Sequence, residues 1–427
     1  MAIRAFPRLW SRLRGGLAAL LATVVLAGSA LADVPALKRG LNFELWQHWT
    51  NRTEFLAPAY DRTNFPDWQK AVDDARLVAL RRQGFDFVRL NVDPSPFFWG
   101  EGRSEPLLAA VERAVSRLIA AGFAVVIDLH PVPDMEDRPF GLHTILGTGG
   151  VEPSGAFARY LTLVRAFATR FRDHPADKVA LELMNEPDQD WFSWVAATDR
   201  WPGQLAELHA AARAVAPRLA LVMTGARGGG FEGLLRLDAR RFASDDALVW
   251  SFHYYEPHAV THSGLPWEKG AAHFLTKLPY PAEKFDPVLR RRLVSQAKAR
   301  VRSEIVGADK RAELDREIDT AAEAYAASGA GPQTVARDFD RVAAWAAANG
   351  VPPRRILLGE FGVYQDAVDP ATRAEIVRVA RTAAEEKGFA WAIYTAGLTR
   401  AHSSFGILGD TATMTVEEPI ARALGTR

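Results

Sequence analysis

The chain has 427 residues, of which 48% are hydrophobic, 24% charged and 10% aromatic, with 32 Gly and 25 Pro; this is globular composition and excludes a collagenous, disordered or coiled-coil protein. Lys plus Arg number 52 against 51 Asp plus Glu, and four of those cations (Arg4, Arg8, Arg12, Arg14) precede Ala32 in a stretch without acids. Without that stretch the balance is 48 against 51, or −3, so no positive excess argues for nucleic acid or an anionic membrane as partner. Residues 1–32 read as a secretory signal peptide: an Arg-bearing start, an apolar run from Leu17 to Ala27, and small residues ending Ala30-Leu31-Ala32 before Asp33. The run falls short of the roughly 20 residues that a spanning helix needs, which weakens the alternative of an uncleaved anchor. The expectation is an exported protein, periplasmic or extracellular in a bacterium, without membrane contact after cleavage. The total lack of cysteine removes disulfides, thiolate metal sites and a cysteine nucleophile together.

From Asp33 onward, short apolar runs alternate with amphipathic stretches, the mark of βα units around a parallel sheet. Eight strands are expected: Arg39 to Phe43, Phe85 to Val92, Ala124 to Val132, Val179 to Pro187, Ala220 to Ala226, Ala247 to Tyr255, Ile356 to Tyr364 and Phe389 to Thr395. Helices such as Leu107 to Ala121 and Gly155 to Phe171 lie between most of them. Gly84, Gly122, Gly350 and Gly388 follow helical runs, where a residue tolerant of positive φ closes a helix. Eight such repeats predict an α/β protein of the closed (β/α)8 barrel type in one domain, 33–427, since a doubly wound sheet more often stops at five or six strands. About ninety residues separate strands six and seven. One helix suffices there, so a mostly helical insertion of about 258–345 above the top face is expected, with a separate small domain as the weaker alternative.

Barrel chemistry sits at the C-terminal ends of strands, and that is where this sequence places polar residues: Arg89-Leu90-Asn91, Asp128-Leu129-His130, Asn185-Glu186-Pro187, His253-Tyr254-Tyr255 and Gly359-Glu360-Phe361-Gly362. Glu186 and Glu360 each follow an apolar strand. Two carboxylates facing each other across a cleft are what glycosidic cleavage needs, one to protonate the leaving oxygen and one to attack or stabilise the oxocarbenium carbon. The acid must then have its pKa raised by burial or by its neighbour's charge. Arg89 and Tyr255 can favour the ionised nucleophile, and Asn185 can hold a sugar hydroxyl.

With these motifs in order, the chain resembles glycoside hydrolase family 5 over essentially its whole mature length. The resemblance implies Glu186 of Asn185-Glu186-Pro187 as acid/base, Glu360 of Leu358-Gly359-Glu360-Phe361-Gly362 as nucleophile, and Arg89, His130, His253 and Tyr255 as supporting residues. It also implies a Trp beneath the reacting sugar on strand eight, where this sequence has Trp391-Ala392-Ile393-Tyr394; either Tyr394 takes that place or Trp391 reaches it. Two aromatic clusters, Phe43, Trp46, Trp49 and Phe55, and Phe97-Phe98-Trp99, suit sugar stacking and core packing equally.

The function expected is a retaining endo-β-1,4-glucanase acting as a monomer on a polysaccharide or oligosaccharide, without cofactor. β-Mannan hydrolysis or trimming of the cell's own exopolysaccharide is the alternative, and an inert carbohydrate-binding barrel is the non-enzymatic one. A metal site among His130, His143, His253 and His258 is not expected, because no ligand spacing supports it. Gly228-Gly229-Gly230 is expected as a flexible loop, since no Lys-Ser or Lys-Thr follows for phosphate.

Overall fold

Eight parallel strands close on one another in chain order in the computed structural model, which describes residues 34–49, 51–57, 72–100, 104–136, 139–147, 155–187, 199–398 and 404–426. The signal peptide expected at 1–32 lies outside these residues. The strands are β1 (Arg39–Gln47), β2 (Phe87–Val92), β3 (Ala124–Leu129), β4 (Val179–Glu182), β5 (Ala220–Thr224), β6 (Leu248–His253), β7 (Ile356–Glu360) and β8 (Ala390–Ile393). The barrel closes where β1 pairs with β8, Arg39 opposite Trp391. Helices Asp74–Arg82, Ser104–Ala120, Ala156–Phe171, Trp201–Arg213, Pro332–Ala348 and Pro370–Glu386 cover the outside. The four glycines expected to close helices take φ of 103°, 93°, 71° and 73°.

Six expected strands overrun, however: the chain leaves the ladder at Leu129, Glu182, Thr224, His253, Glu360 and Ile393. Apolar character persists past these points because the loops are themselves buried, with Leu183, Met184 and Val363 all nearly inaccessible. A hydrophobic run therefore marks burial and not strand length.

Period-two alternation sorts the barrel interior into layers. The lower layers are apolar: Phe87, Ala124, Val126, Ala180, Ala220, Val222, Val249, Leu357, Ala390 and Ala392 pack together. Gly40 belongs here because a Cβ would lie 2.3 Å from the Phe87 ring; the one large side chain fills the space its neighbour gives up. One step toward the C-terminal ends the same inward faces carry Asn42, Arg89, Asp128, Glu182, Thr224 and Ser251, all buried. The other strand faces join the larger core under the helices.

Between β6 and β7 lies a helical insertion of about 258–331. It ends before the expected 345 because Pro332–Ala348 packs on the barrel itself, Phe339 against Phe252 at 5.4 Å and Trp345 against Trp250 at 5.5 Å. The added helices Pro287–Glu304 and Ala308–Ala327 pair through Leu293, Ala297 and Val301 and through Leu314, Ile318 and Ala322. Lys298 and Asp319 bridge them at 2.7 Å. Tyr325 ties them back by donating to the Pro279 carbonyl at 2.6 Å.

Candidate active site

At the C-terminal ends of the strands, the buried polar layer is organised by one guanidinium. Arg89 on β2 is fully buried and donates from Nε to Glu182 at 2.7 Å, from Nη1 to Glu360 at 2.6 Å and Asn42 at 2.9 Å, and from Nη2 to Asn185 at 2.9 Å. Asp128 lies 3.1 Å from Nη2. Burial alone would disfavour the charge on Arg89, but Asp128, Glu182 and Glu360 outweigh it and hold the group protonated. Asp128 and Glu182 share this cation unequally. Burial opposes ionisation of both; Arg89 overcomes it at Asp128, whose pKa falls below its ordinary value, but not at Glu182, whose pKa stays raised.

Glu360 ends β7 almost wholly buried. One of its oxygens takes the Arg89 bond and the other accepts from the Tyr255 hydroxyl at 2.8 Å. Both partners favour the anion. Burial, then Glu360 and Glu186, drive the Tyr255 pKa well above its ordinary value, so this residue remains a donor.

Glu186 sits beyond β4 with a φ of 40°, a left-handed backbone that costs about 1–3 kcal/mol in a non-glycine residue. Its side chain is 37% exposed to the cleft, and Oε1 lies 2.8 Å from His253 Nδ1. Burial raises the Glu186 pKa against the opposing effect of His130 and Arg89. His253 is pushed the other way, since burial lowers its pKa more than the surrounding carboxylates restore it. A neutral imidazole therefore meets a carboxyl inclined to keep its proton. The turn beneath them corrects one expectation: Gly228-Gly229-Gly230 is not a loose loop. Gly229 accepts from the His253 amide at 2.8 Å, and a Cβ there would stand 3.2 Å from His253 Nδ1 and 3.4 Å from Glu186 Cγ. Its φ of 68° adds a second reason for glycine.

His130 is held by Asp128, Nδ1 to Oδ2 at 2.6 Å, and its Nε2 lies 3.3 Å from the Asn185 amide. Burial opposes its charge, yet Asp128 outweighs that and raises its pKa. Arg89, His130, Asn185, Glu186, His253, Tyr255 and Glu360 thus converge on one cleft. One donor atom each of Glu186, His253 and Glu360 lies within 4.8 Å of the others. Both oxygens of Glu360 and Oε1 of Glu186 are already engaged by Arg89, Tyr255 and His253.

On β8 the two aromatics separate. Trp391 is fully buried on the outer face, edge-on to Phe85 at 6.5 Å and Phe361 at 5.9 Å, with its indole N–H donating to Glu385 at 3.2 Å. It does not reach the cleft, because alternation along β8 turns it toward the helices. Tyr394 is half-buried, packs on Phe405 at 5.7 Å and feels both Glu360 and Glu186. The aromatic clusters are mostly core: Phe43, Trp46, Trp49, Phe55, Phe97 and Trp99 are buried, with edge contacts of Trp49 on Phe97 and Phe55 on Trp99. Phe98 stacks on Phe140 at 4.0 Å beneath the Arg159 guanidinium. His143 and His258 stay outside the cluster, both about half exposed.

Sequence reasoning gave no role to Asn42, Asp128 or Glu182, although each is a polar residue at the inward phase of an otherwise apolar strand, a burial cost that demands a partner.

A family model for cellulase (glycosyl hydrolase family 5) matches residues 52–398. Cellodextrinase A of Ruminococcus flavefaciens is 27% identical over 218 residues, covering 49% of this chain and 57% of that protein. Endoglucanase C of Acetivibrio thermocellus is 24% identical over 222 residues, covering 50% and 58%. The chain thus spans less than two thirds of these curated relatives. The solved structure of Thermotoga maritima Cel5A in complex with cellobiose superposes with a TM-score of 0.61 at 19% identity, covering 91% of this chain and 97% of that one; a likeness at that identity speaks for the barrel. The match over most of the length, joined to the two carboxylates at the barrel's C-terminal face, places this chain in the cellulase family, glycosyl hydrolase family 5.

Proposed function

We propose that this chain is a retaining glycoside hydrolase that cleaves internal β-1,4 linkages of a glucan, with Glu360 as nucleophile and Glu186 as acid/base. The observation that carries the reading is the approach of an oxygen of Glu186 to one of Glu360 within 4.8 Å. Retaining enzymes hold their two carboxyl groups about 5–5.5 Å apart, whereas inverting ones leave about 6.5–9.5 Å for a water. In the first step Glu360 attacks the anomeric carbon as Glu186 protonates the departing oxygen. In the second, Glu186 takes a proton from water, which displaces Glu360 with a second inversion. Arg89 and Tyr255 hold the attacking carboxylate, and Asn185 and His130 line the sugar side. Names of the relatives, an endoglucanase and a cellodextrinase, support a β-glucan substrate.

Proton NMR of cellotetraose hydrolysis tests this: β-anomeric product should appear before mutarotation. Initial α product would refute retention, and faster cleavage of mannan or a bacterial exopolysaccharide than of β-glucan would move the substrate. Export to the periplasm or medium is part of the same proposal, supported by the character of residues 1–32.

A further inference from the structure

Every member of the buried polar layer but one bonds within it. Asn42, Asp128 and Glu182 meet Arg89, and Thr224 donates to Glu182 at 2.7 Å. Ser251 on β6 is fully buried, yet its Oγ has no hydrogen-bond partner among the described residues, and the same holds for Nε2 of His253 two residues on. Both atoms border one place: a Cβ on Gly359 would stand 2.5 Å from Ser251 Oγ and 3.3 Å from His253 Nε2. The pairing of β6 with β7 shows why a glycine stands there. Phe252 lies opposite Leu358 and His253 opposite Glu360, so Gly359 is the extra residue of a bulge, a device that re-aims side chains beside active sites. The other ring nitrogen, Nδ1, lies 2.8 Å from Glu186 Oε1 and 3.6 Å from Glu360 Oε2.

We propose that Ser251 is a positioning residue whose hydroxyl accepts the Nε2 proton of His253 at the Gly359 bulge, directly or through one water, and thereby fixes the tautomer in which bare Nδ1 faces Glu186. This rests on the reading of Glu186 as acid/base. Two atoms 2.8 Å apart share one proton, so an acid about to donate its proton must meet a ring nitrogen that carries none. A neutral imidazole then holds its own proton on Nε2. Buried, that N–H requires an acceptor, and the Ser251 hydroxyl offers two lone pairs beside it. Fixing the tautomer also bears on the ionised form of Glu186. A ring free to exchange tautomers would donate from Nδ1 and stabilise the carboxylate, whereas a ring kept to Nε2–H sets a lone pair against it. Ser251 thus helps Glu186 to keep its proton, in line with burial raising the Glu186 pKa and lowering that of His253.

The test reads the tautomer and the pH profile together. In protein labelled with 15N-histidine, His253 is assigned from the signals missing in His253→Asn; at about pH 6 its proton should sit on Nε2, and Ser251→Ala should shift it toward Nδ1. The alkaline limb of kcat/KM on cellotetraose should move to lower pH by about half to one unit in Ser251→Ala, the scale of one neutral hydrogen bond. Ser251→Cys, whose thiol is a weaker partner, should fall between. Glu360, Arg89, Glu182 and Asp128 also act on His253, and His130, Arg89, Asp128, Tyr255 and Tyr394 face Glu186; the substitutions keep all of them, so the difference isolates Ser251. A dinitrophenyl cellobioside, whose leaving group departs without a proton, should lose less activity than cellotetraose, which a general loosening of the barrel would not produce. Unchanged thermal melting confirms that the variants are folded. A wild-type proton on Nδ1, or a limb that Ser251→Ala leaves in place or moves to higher pH, would overturn the inference alone; wild-type inactivity on both substrates would overturn the glucanase reading, and the tautomer would then decide whether Ser251 sets the ring.

Discussion

Replacing Arg89 with Lys keeps the buried positive charge and removes the fork, so it isolates what the geometry of the guanidinium contributes. Arg89 directs its five N–H groups at Asn42, Glu182, Asn185 and Glu360, with Asp128 alongside. An ammonium has three donors. At least two of these five charge-assisted bonds are lost, and at about 1.5–3 kcal/mol each the variant should be destabilised by roughly 3–6 kcal/mol, against a typical total of about 5–15 kcal/mol. The loss should also depend on pH. Arg89 holds the Asp128 pKa below its ordinary value, so the stability it contributes is present above that ordinary value and fades as pH falls through the folded pKa. Urea unfolding should therefore show the widest gap between wild type and Arg89→Lys near pH 7 and a narrower one below about pH 4. Because Nη1 also fixes one oxygen of Glu360, kcat/KM on an aryl cellobioside should fall by about a hundredfold, the cost of a nucleophile misplaced by about 1 Å. A variant within about 1 kcal/mol of wild type at pH 7 would refute the account of Arg89 as organiser of the layer.

The two glutamates should respond differently to truncation. Glu360→Ala should abolish turnover of every substrate, and azide should rescue it with inverted product; Glu186→Ala should still open activated aryl glycosides, with azide giving retained product. Exchanged rescue patterns would reverse the roles. Because burial raises the Glu186 pKa, wild-type kcat/KM should fall on the alkaline side as the acid loses its proton, at a pH above the ordinary carboxylate range. Glu186→Gln should remove that limb for an aryl glycoside with a good leaving group, and a limb that survives would assign it to another residue. Mass spectrometry of protein recovered from a periplasmic fraction or the medium should find Asp33 at the N-terminus, and an intact Met1 would defeat the signal-peptide reading.

Much of the barrel was legible because its signals are local. Eight apolar runs, glycines closing helices and polar residues at strand ends are each readable within a dozen positions, and the closed eight-stranded topology follows from their count. The same locality explains what was missed. Strand ends were overrun because Leu183, Met184 and Val363 are buried loop residues, and burial in a loop looks like burial in a strand. Asp128 and Glu182 were legible as oddities within apolar strands, but their shared partner, Arg89, is 39 and 93 residues away, a distance that only the closed barrel spans. Trp391 and Tyr394 could not be told apart from the sequence, as the choice depends on the phase of β8 relative to its core. Gly229 looked like slack for the opposite reason, since a glycine forced by crowding and one that merely permits motion are identical on paper.

The division of labour proposed for the two carboxyls rests on which neighbours reach them. Glu360 receives a guanidinium at 2.6 Å and a phenol at 2.8 Å, both of which stabilise an anion, and its side chain is only 4% exposed, so water does little of that work. Glu186 has a different environment. Its close partner is a histidine whose own pKa is depressed, Arg89 does not bond to it, and its side chain opens 37% to the cleft. A neutral imidazole does not reward ionisation as a cation does, in keeping with the raised pKa of Glu186. The opening has a further consequence, because the group that activates water in the second step must be the one that water can approach. Were the guanidinium bonded to Glu186 instead, the exposed carboxyl would be the better anion and the buried one would hold the proton out of reach of the leaving oxygen. The bond from Arg89 to Glu360, with Asn185 and not Glu186 taking its bond to the turn after β4, is therefore the feature on which the proposed assignment turns.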